Sequence, residues 1–584
     1  MKLRLSKSVS VLLLGCGVAF AVGVVEQAIK PKPELPALLP EGALLSIEAR
    51  DFSSLLRDWN TSEEKRAWLL SNNHAAFSNS RLFTRLSQAQ DEFSAAAGLP
   101  ADGSLLEKVA GKESCLGLYD IGNLEFVYVT RLDQQEIENS PLWQTRSKFE
   151  QRTEAGTAFY VHKDAHSSRT AAFAARDGWL ILGTREDLVA GVLDRFAGTA
   201  SQNLAAEGWF ADAVKQAAGE RGDLRMVLNL DKLVRTPYFR SYWIQGNITE
   251  MKQYLSAVSD LYRSSQSYRE ERVLVRRAGP AAPLQGDVRA IAALAPEDAA
   301  FYAAQDSPDP KALLQSLRDN LLEMRPEQQA TRYTYAPAAA QAENAGSAAQ
   351  LDIPIDKAPV AVKQVDAFEP LRALLLAQQP DAVLEVYSTR APKDGVFVSL
   401  QTAMVVSAPR NWDEDAVREA LTQALLPGLT AGKLGAQWEK RAGSEKRAGA
   451  AGGYLALDGA VPLYAAVNGK QLLLANDSIL LETLLARSQK ASPAVGDENL
   501  TYAALFRHTQ EQSNFRRLMA QLDLAGRRGG ADPQEETSGG ETPAFFSGDV
   551  ASYSRAFSRV ESERIEERDL GAKVAQTVTY QWTR

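Results

Sequence analysis

The stretch Thr170–Arg195, TAAFAARDGWLILGTREDLVAGVLDR, decides how the chain is read. Asp177-Gly178 between two apolar runs signals a tight hairpin, because a type I′ turn needs positive φ at both central residues. The flanks Thr170–Arg176 and Trp179–Gly183 therefore read as paired strands. Thr184 follows as a helix N-cap, with Glu186 and Asp187 in the first turn, where the helix dipole favours acids. Leu188, Val189, Val192, Leu193 and Phe196 fall on one helical face.

A matching unit lies 291 residues downstream, VPLYAAVNGKQLLLANDSILLETLLA, with Val461 standing where Thr170 stood. Phe173 aligns with Tyr464, Asp177-Gly178 with Asn468-Gly469, and Leu188, Val189 and Leu193 with Ile479, Leu480 and Leu484. Agreement of hairpin, turn chemistry and helix face points to an internal duplication. The alignment extends along the chain with a rising offset. It is 256 for Leu39-Pro40 against Ala295-Pro296, 268 for Leu116–Tyr119 against Leu384–Tyr387, and 299 for Tyr254–Ser259 against Tyr553–Ser558. A rising offset means that the second copy carries insertions, expected at 336–363, 441–453 and 525–543, where the composition is Ala/Pro-rich, Gly/Ala/Lys-rich and Gly/acidic.

The N-terminus carries a different signal. Lys2, Arg4 and Lys7 precede an apolar run of 17 residues, Val9–Val25, closed by Glu26. A basic n-region before an apolar h-region marks export, with the basic end in the cytoplasm and the rest outside, on the periplasmic side of a bacterial inner membrane. Three fates stay open: retention of residues 9–25 as an anchor, cleavage after Ala21, or lipidation at Cys16 in Leu13-Leu14-Gly15-Cys16. Domains then read as 1–28 signal or anchor, 29–38 Pro-rich spacer, 39–277 first repeat, 278–294 linker and 295–584 second repeat. The net charge of −8 speaks against a nucleic-acid partner, which demands a basic footprint. Cys16 and Cys115 are the two cysteines, one in the export segment, so the cores hold the fold without a disulfide.

Within the first repeat, Ala43–Ala49, Cys115–Tyr119, Phe126–Val129, Thr157–Val161 and Leu224–Leu230 read as strands. Phe52–Leu56 with Trp59, Leu82–Phe93 and Tyr254–Arg263 read as helices, and Glu561–Asp569 as a charged helix face. The expected architecture is α+β, two tandem repeats, each an antiparallel meander sheet with helices packed on one face.

Leu39-Pro40-Glu41-Gly42-Ala43-Leu44, the helix with Trp59, the strand Gly111-Lys112-Glu113-Ser114-Cys115-Leu116 and the Asp-Gly hairpin follow one another in that order. This plan resembles a family of bacterial envelope proteins, a domain of unknown function with an N-terminal membrane segment and an LPxxAL start. The resemblance covers most of Leu39–Leu233 and implies an envelope location and an α+β fold. It carries no catalytic residues.

Chemical motifs do not assemble. His162 and His166 have the i, i+4 spacing of a helical metal pair, but HKDAHSS lies between strands, where that spacing gives no common face. Ser62-Glu63-Glu64-Lys65 has the S-x-x-K form without a K-T-G partner, and reads as an acidic helix start. Gly111-Lys112-Glu113-Ser114 resembles the end of a P-loop, but Leu106 stands where Walker A needs glycine. Cys115 aligns with Val383 and reads as a buried, inert thiol. No catalytic, cofactor-binding or metal-binding residue is singled out. The reading is a non-catalytic, membrane-tethered envelope protein with a binding or scaffold role. Its partners are the membrane through the N-terminal segment and a hydrophobic small molecule, in a groove between the domains, or an envelope protein. The alternative is an envelope hydrolase or modifying enzyme with an unrecognised carboxylate site.

Overall fold

The computed structural model describes residues 34–582, apart from 63–64, 67–68, 70–73, 75–77, 218, 238–250, 278–285, 307, 323–365, 391–397, 430–436, 444–452, 459–461, 491–498, 510, 513, 515–516 and 518–559. The apolar run 9–25 with Cys16 and Ala21, the insertions 336–363 and 525–543, and Tyr553–Ser558 lie outside the described residues. The chain divides into two compact units, residues 1–57 with 85–258, and residues 58–84 with 259–584.

Up to residue 263 the chain runs β1 (Leu45–Ala49), α1 (Phe52–Thr61), α2 (Arg81–Ala97), α3 (Gly103–Val109), β2 (Ser114–Asp120), β3 (Glu125–Arg131), α4 (Gln134–Asn139), α5 (Pro141–Gln144), β4 (Glu150–Glu154), β5 (Thr157–Lys163), β6 (Thr170–Arg176), β7 (Trp179–Gly183), α6 (Glu186–Ala197), α7 (Gly208–Gln216), β8 (Leu224–Asn229), α8 (Leu230–Leu233) and β9 (Tyr254–Arg263). The first unit is α+β, with an antiparallel sheet in the order β8-β1-β2-β3-β7-β6-β5-β4. It is not a simple meander. The run β4–β7 folds back so that β7 docks on β3, and β8 returns to β1.

The hairpin behaves as its turn chemistry requires: Asp177 and Gly178 take φ of 50° and 77°. Thr184 is not the N-cap of α6. That position belongs to Arg185, and the Thr184 hydroxyl instead accepts a hydrogen bond from Phe126 N at 2.9 Å, tying the exit of β7 to β3. Gly198 closes α6 with φ of 73°, the left-handed cap that glycine adopts without a Cβ penalty.

Helices cover both faces of this sheet, a departure from the one-face expectation. Cys115, Val127, Val129, Ala172, Ala174 and Ile181 pack with Leu188, Val189, Val192 and Leu193 of α6 and Phe210 of α7. Tyr128, Phe173, Leu180 and Leu182 pack on the opposite side with Phe93, Leu105, Ile137 and Leu142 from α2–α5. The reason is in β6 and β7, where every residue from Ala171 to Ala174 and from Trp179 to Gly183 is buried. A strand buried on both faces loses the polar alternation that marks a solvated face. The end of the spacer is also core: Leu35–Leu38 forms a 3-10 turn whose Leu35 and Leu38 join the α6 side.

The second unit carries β10 (Ser267–Arg276), α9 (Val288–Ala292), β11 (Phe301–Asp306), α10 (Pro310–Leu317), α11 (Glu369–Gln378), β12 (Ala382–Arg390), β13 (Ser399–Ser407), α12 (Glu414–Leu429), β14 (Glu439–Ala442), β15 (Gly453–Leu457), β16 (Leu463–Asn468), β17 (Gln471–Ala475), α13 (Ser478–Lys490), β18 (Leu500–Arg507), β19 (Val560–Asp569) and β20 (Lys573–Trp582). Its antiparallel order is β10-β20-β19-β18-β11-β12-β13-β17-β16-β15-β14. Here too both faces are covered, by α10–α12 on one side and by α9 and α13 on the other.

Several sequence expectations change. Tyr254–Arg263 and Glu561–Asp569 are strands, not helices. In β9, Tyr254, Ser256, Val258 and Asp260 are buried in alternation, the period of a strand, and short apolar runs do not separate the two periods. Residues 286–294 of the expected linker are core: Asp287 caps α9, and Val288, Ile291 and Leu294 are buried. Of the expected insertion 441–453, Arg441-Ala442 end β14 and Gly453 opens β15. The second hairpin turns on Gly469-Lys470, with Asn468 paired to Gln471 and positive φ at Gly469 alone, as a type II′ turn requires.

Gly111 explains the glycine before β2. A Cβ there would stand 2.1 Å from Arg131 O and 2.4 Å from Thr130 Oγ1. Gly111→Ala is expected to lower the urea midpoint of unfolding, by about 2–3 kcal/mol of stability, while Gly103→Ala, which meets nothing within 4 Å, leaves it within about 0.5 kcal/mol.

Candidate functional site

A cavity of about 780 Å³ lies inside the first unit, between the sheet and the helices α1–α3. Strand alternation builds its floor. Ile47 and Ala49 of β1, Leu116 and Leu118 of β2, Phe126 and Tyr128 of β3, and Leu182 of β7 share one face. Helical spacing builds its roof. Leu86, Ala89, Gln90 and Phe93 recur at the 3–4 residue intervals that put them on one side of α2, and Leu105, Leu106 and Val109 do the same on α3. Phe52 of α1 meets Tyr128 edge to face at 6.3 Å, and Phe93 meets Phe126 at 6.0 Å. Leu86 and Leu106 stay 44% and 40% exposed, so the rim is apolar as well.

The polar groups of the floor are satisfied among themselves. The Tyr128 hydroxyl lies 3.0 Å from Ser114 Oγ and 3.2 Å from Val109 O. Ser114 Oγ is 2.7 Å from Thr130 Oγ1, which accepts from Gly111 N at 3.0 Å. Burial pushes the Tyr128 hydroxyl above its ordinary pKa, so it stays protonated at neutral pH. The wall therefore presents carbon. Leu124, in the β2–β3 turn, holds φ of 52°, a strained conformation for a bulky residue, and lines the cavity from there.

Among the described residues two charged ones reach the wall, Asp102 and Arg169. Asp102 caps α3, accepting from Ser104 N at 2.9 Å and Leu105 N at 3.1 Å, and the Ser104 hydroxyl and these amides hold its carboxyl below its ordinary range. Arg169 is nearly buried. Its guanidinium donates to Asn123 O at 2.6 Å and to Glu92 at 2.5 Å, and Arg85 reaches the same carboxylate at 3.4 Å. Burial alone would raise the Glu92 pKa, but Arg169 and Arg85 outweigh it and leave the carboxyl below its ordinary value.

The motifs singled out in the sequence do not converge on this cavity. His162 bonds Ala96 O through Nδ1 at 2.7 Å, while His166 is exposed beside Asp164 at 3.9 Å. Ser62 Oγ donates to Trp59 O and accepts from Lys65 N, and the Lys65 amine bonds Asn60. Among the described residues no three His, Cys, Asp or Glu side chains form a metal-binding group. Cys115 is fully buried on the other face of the sheet, and desolvation, with the nearby Glu48, pushes its thiol well above the ordinary range. The cavity itself was missed. Its one signal in the sequence is the face Leu86, Ala89, Phe93 of α2, which reads equally as ordinary core.

No family model matches this chain, and no curated protein matches it in sequence. Two crystal forms of the protein TP0453, forms I and III, are similar to it at 10% identity and a TM-score of 0.23, and the similarity spans 82% and 85% of those chains and 43% and 44% of this one. Among the described residues no helix is long and apolar enough to cross a membrane.

Two outcomes check this geometry. Alkylation of Cys115, read by peptide mass mapping, should need denaturant. The lowered Glu92 pKa means that its contribution to stability is present above the unfolded value near 4.5 and is lost as pH falls through the folded value. Glu92→Gln should therefore flatten the loss of stability on the acid side, measured by urea titrations at a series of pH values.

Proposed function

We propose that this chain is a membrane-tethered protein of the bacterial envelope, on the periplasmic side, that binds an apolar small molecule in the cavity of its first unit. The observation that carries the reading is that cavity: about 780 Å³, walled by carbon, with its floor polar groups already paired. Its volume is that of a ligand site. The apolar run 9–25 behind a basic end supports the tether, as retained anchor, and lipidation at Cys16 or cleavage after Ala21 remain the other fates of the same export segment.

The two units are read as diverged tandem copies. The order β8-β1-β2-β3-β7-β6-β5-β4 recurs as β18-β11-β12-β13-β17-β16-β15-β14. The buried set Leu188, Val189, Val192, Leu193 of α6 recurs 292 residues on as Leu480, Leu481, Leu484, Leu485 of α13. That offset is one more than the sequence alignment of the hairpins, in keeping with the shifted turn at Gly469-Lys470. In β2 the same slip appears: Cys115 pairs with Glu48, and Leu384, not Val383, pairs with Ala304. A slip of one residue exchanges the two faces of a strand.

On this register Leu116 and Leu118 correspond to Glu385 and Tyr387, where Ser316 Oγ and the Tyr387 hydroxyl bond the Glu385 carboxylate at 2.5 and 3.0 Å. The second copy is thus polar where the first is an apolar floor. Asymmetry of this kind supports a ligand role for the first unit. The envelope-hydrolase alternative draws less support, because among the described residues the cavity wall carries one carboxylate, Asp102, and that group is occupied as a helix cap.

The test is native mass spectrometry of the full chain, transferred from the envelope in amphipol. A reproducible extra mass, released on mild activation, is expected from the wild type. Ala89→Phe, which fills the cavity from α2, should lower occupancy at least about tenfold with the melting temperature unchanged or raised. A wild type that carries no extra mass and binds no apolar probe would sink the proposal.

A further inference from the structure

The cavity is not uniform from end to end. Its floor crosses β8, β1, β2, β3 and β7, from Leu224 and Ala49 on one side to Leu182 and Thr184 on the other. Four inter-strand steps make about 19 Å. An extended carbon chain advances about 1.2 Å per bond, so about sixteen bonds span that floor. The chemistry of the second side differs from the first. Arg169 precedes β6 there, beside the turn that carries Asn123 and Leu124, and it is the member of a charged trio that lines the cavity.

The trio is unbalanced. Two guanidiniums, Arg169 and Arg85, share the single carboxylate of Glu92. The Arg169 side chain is 8% exposed and that of Glu92 21%, so the surplus positive charge sits where water screens it poorly. A charge held out of water favours an opposite charge beside it. Asp102 does not supply one, since it lies exposed at the start of α3 and is held by Ser104 and Leu105.

Building on the apolar-binding reading above, we infer that the ligand is an amphipath with one long chain and an anionic head. The chain lies across the floor from Leu224 to Leu182, and the head, a carboxylate or a phosphate monoester, meets Arg169. Each terminal nitrogen of Arg169 carries a second hydrogen beyond the one given to Asn123 O or Glu92, and an anionic head accepts from such charged donors more strongly than a neutral alcohol or amide does. Arg169 is then the specificity residue, and the apolar wall supplies chain-length dependence of about fourfold in affinity per methylene.

The experiment uses the full chain reconstituted in phosphatidylcholine vesicles. A long-chain fatty acid bearing a diazirine is photolysed, and labelled peptides are mapped. Labels are expected in α2, α3 and β2. Unlabelled fatty acid or alkyl phosphate should compete at concentrations at least about tenfold below those of the alcohol of equal chain length, each corrected for partition into the bilayer. The double variant Arg169→Gln with Glu92→Gln removes the one guanidinium of the trio that lines the cavity without stranding the carboxylate, and leaves the trio's net charge unchanged through Arg85. It should still be labelled by a diazirine-bearing alcohol, which shows that the cavity is intact, and should lose the preference for acid. Arg169→Lys should keep part of it. Labelling of the cavity peptides with acid and alcohol competing equally in the wild type would overturn the head-group inference and leave the apolar-binding reading standing. So would an acid preference that survives in the double variant. No labelling of these peptides by either probe would overturn both.

Discussion

Alternate side chains of a β-strand must go to opposite faces, and this constraint organises both units. In the first, β1 lies between β2 and β8, so Ile47 and Ala49 face one layer of helices while Glu48 faces the other. Every neighbouring strand then falls into register with that choice. Cys115, Val127 and Ala174 join the α6 side, and Leu116, Tyr128 and Phe173 join the α2–α5 side. Once both faces are apolar, both have to be covered, and the helices between strands are distributed accordingly.

The cavity follows from incomplete cover on one of these faces. α4 and α5 close the side over β6 and β7 with Ile137 and Leu142, both fully buried. Over β1 and β2 the roof is α2 and α3, whose Leu86 and Leu106 line the cavity and stay partly exposed. The floor is prepared for an apolar neighbour, because Tyr128, Ser114 and Thr130 complete their hydrogen bonds with one another and with the backbone at Val109 and Gly111. Gly111 belongs to the same arrangement, since a side chain there would collide with Arg131 and displace the Thr130 hydroxyl. The second unit meets the same constraint differently. Leu313, Leu317, Leu371 and Leu421 pack directly against Val383, Met404 and Val406, and Glu385 with its serine and tyrosine partners occupies the adjoining strand position.

The Asp177-Gly178 hairpin, α6 with its buried leucines and valines, and the paired strands around residues 121–123 were all legible in the chain. So were α1 and α2. Each is decided within a dozen residues, by turn chemistry or by a period that one element satisfies alone. The burial of Cys115 was legible too, from its place in an apolar strand. Tyr254–Arg263 was misread because Tyr, Leu, Ala and Val at those positions satisfy both periods, and a partner strand settles the choice. The α-helical reading of Glu561–Asp569 failed for the same reason, since alternating Glu and Arg look like a helix face until β18 and β20 claim the backbone.

The sequence by itself determined the local elements: where turns need positive φ, where helices end, and which residues have to leave water. Only the tertiary structure decided which face each strand turns to which helix, that Leu35–Leu38 and Val288–Leu294 belong to cores, and that Leu116, Phe93 and Arg169 line one cavity. These are relations between residues far apart in the chain, as Ile47 is from Leu224, 177 positions on (224 − 47). Periodicity says that a residue will be buried. It does not say against what, because hydrophobic burial is non-directional and any apolar neighbour satisfies it equally.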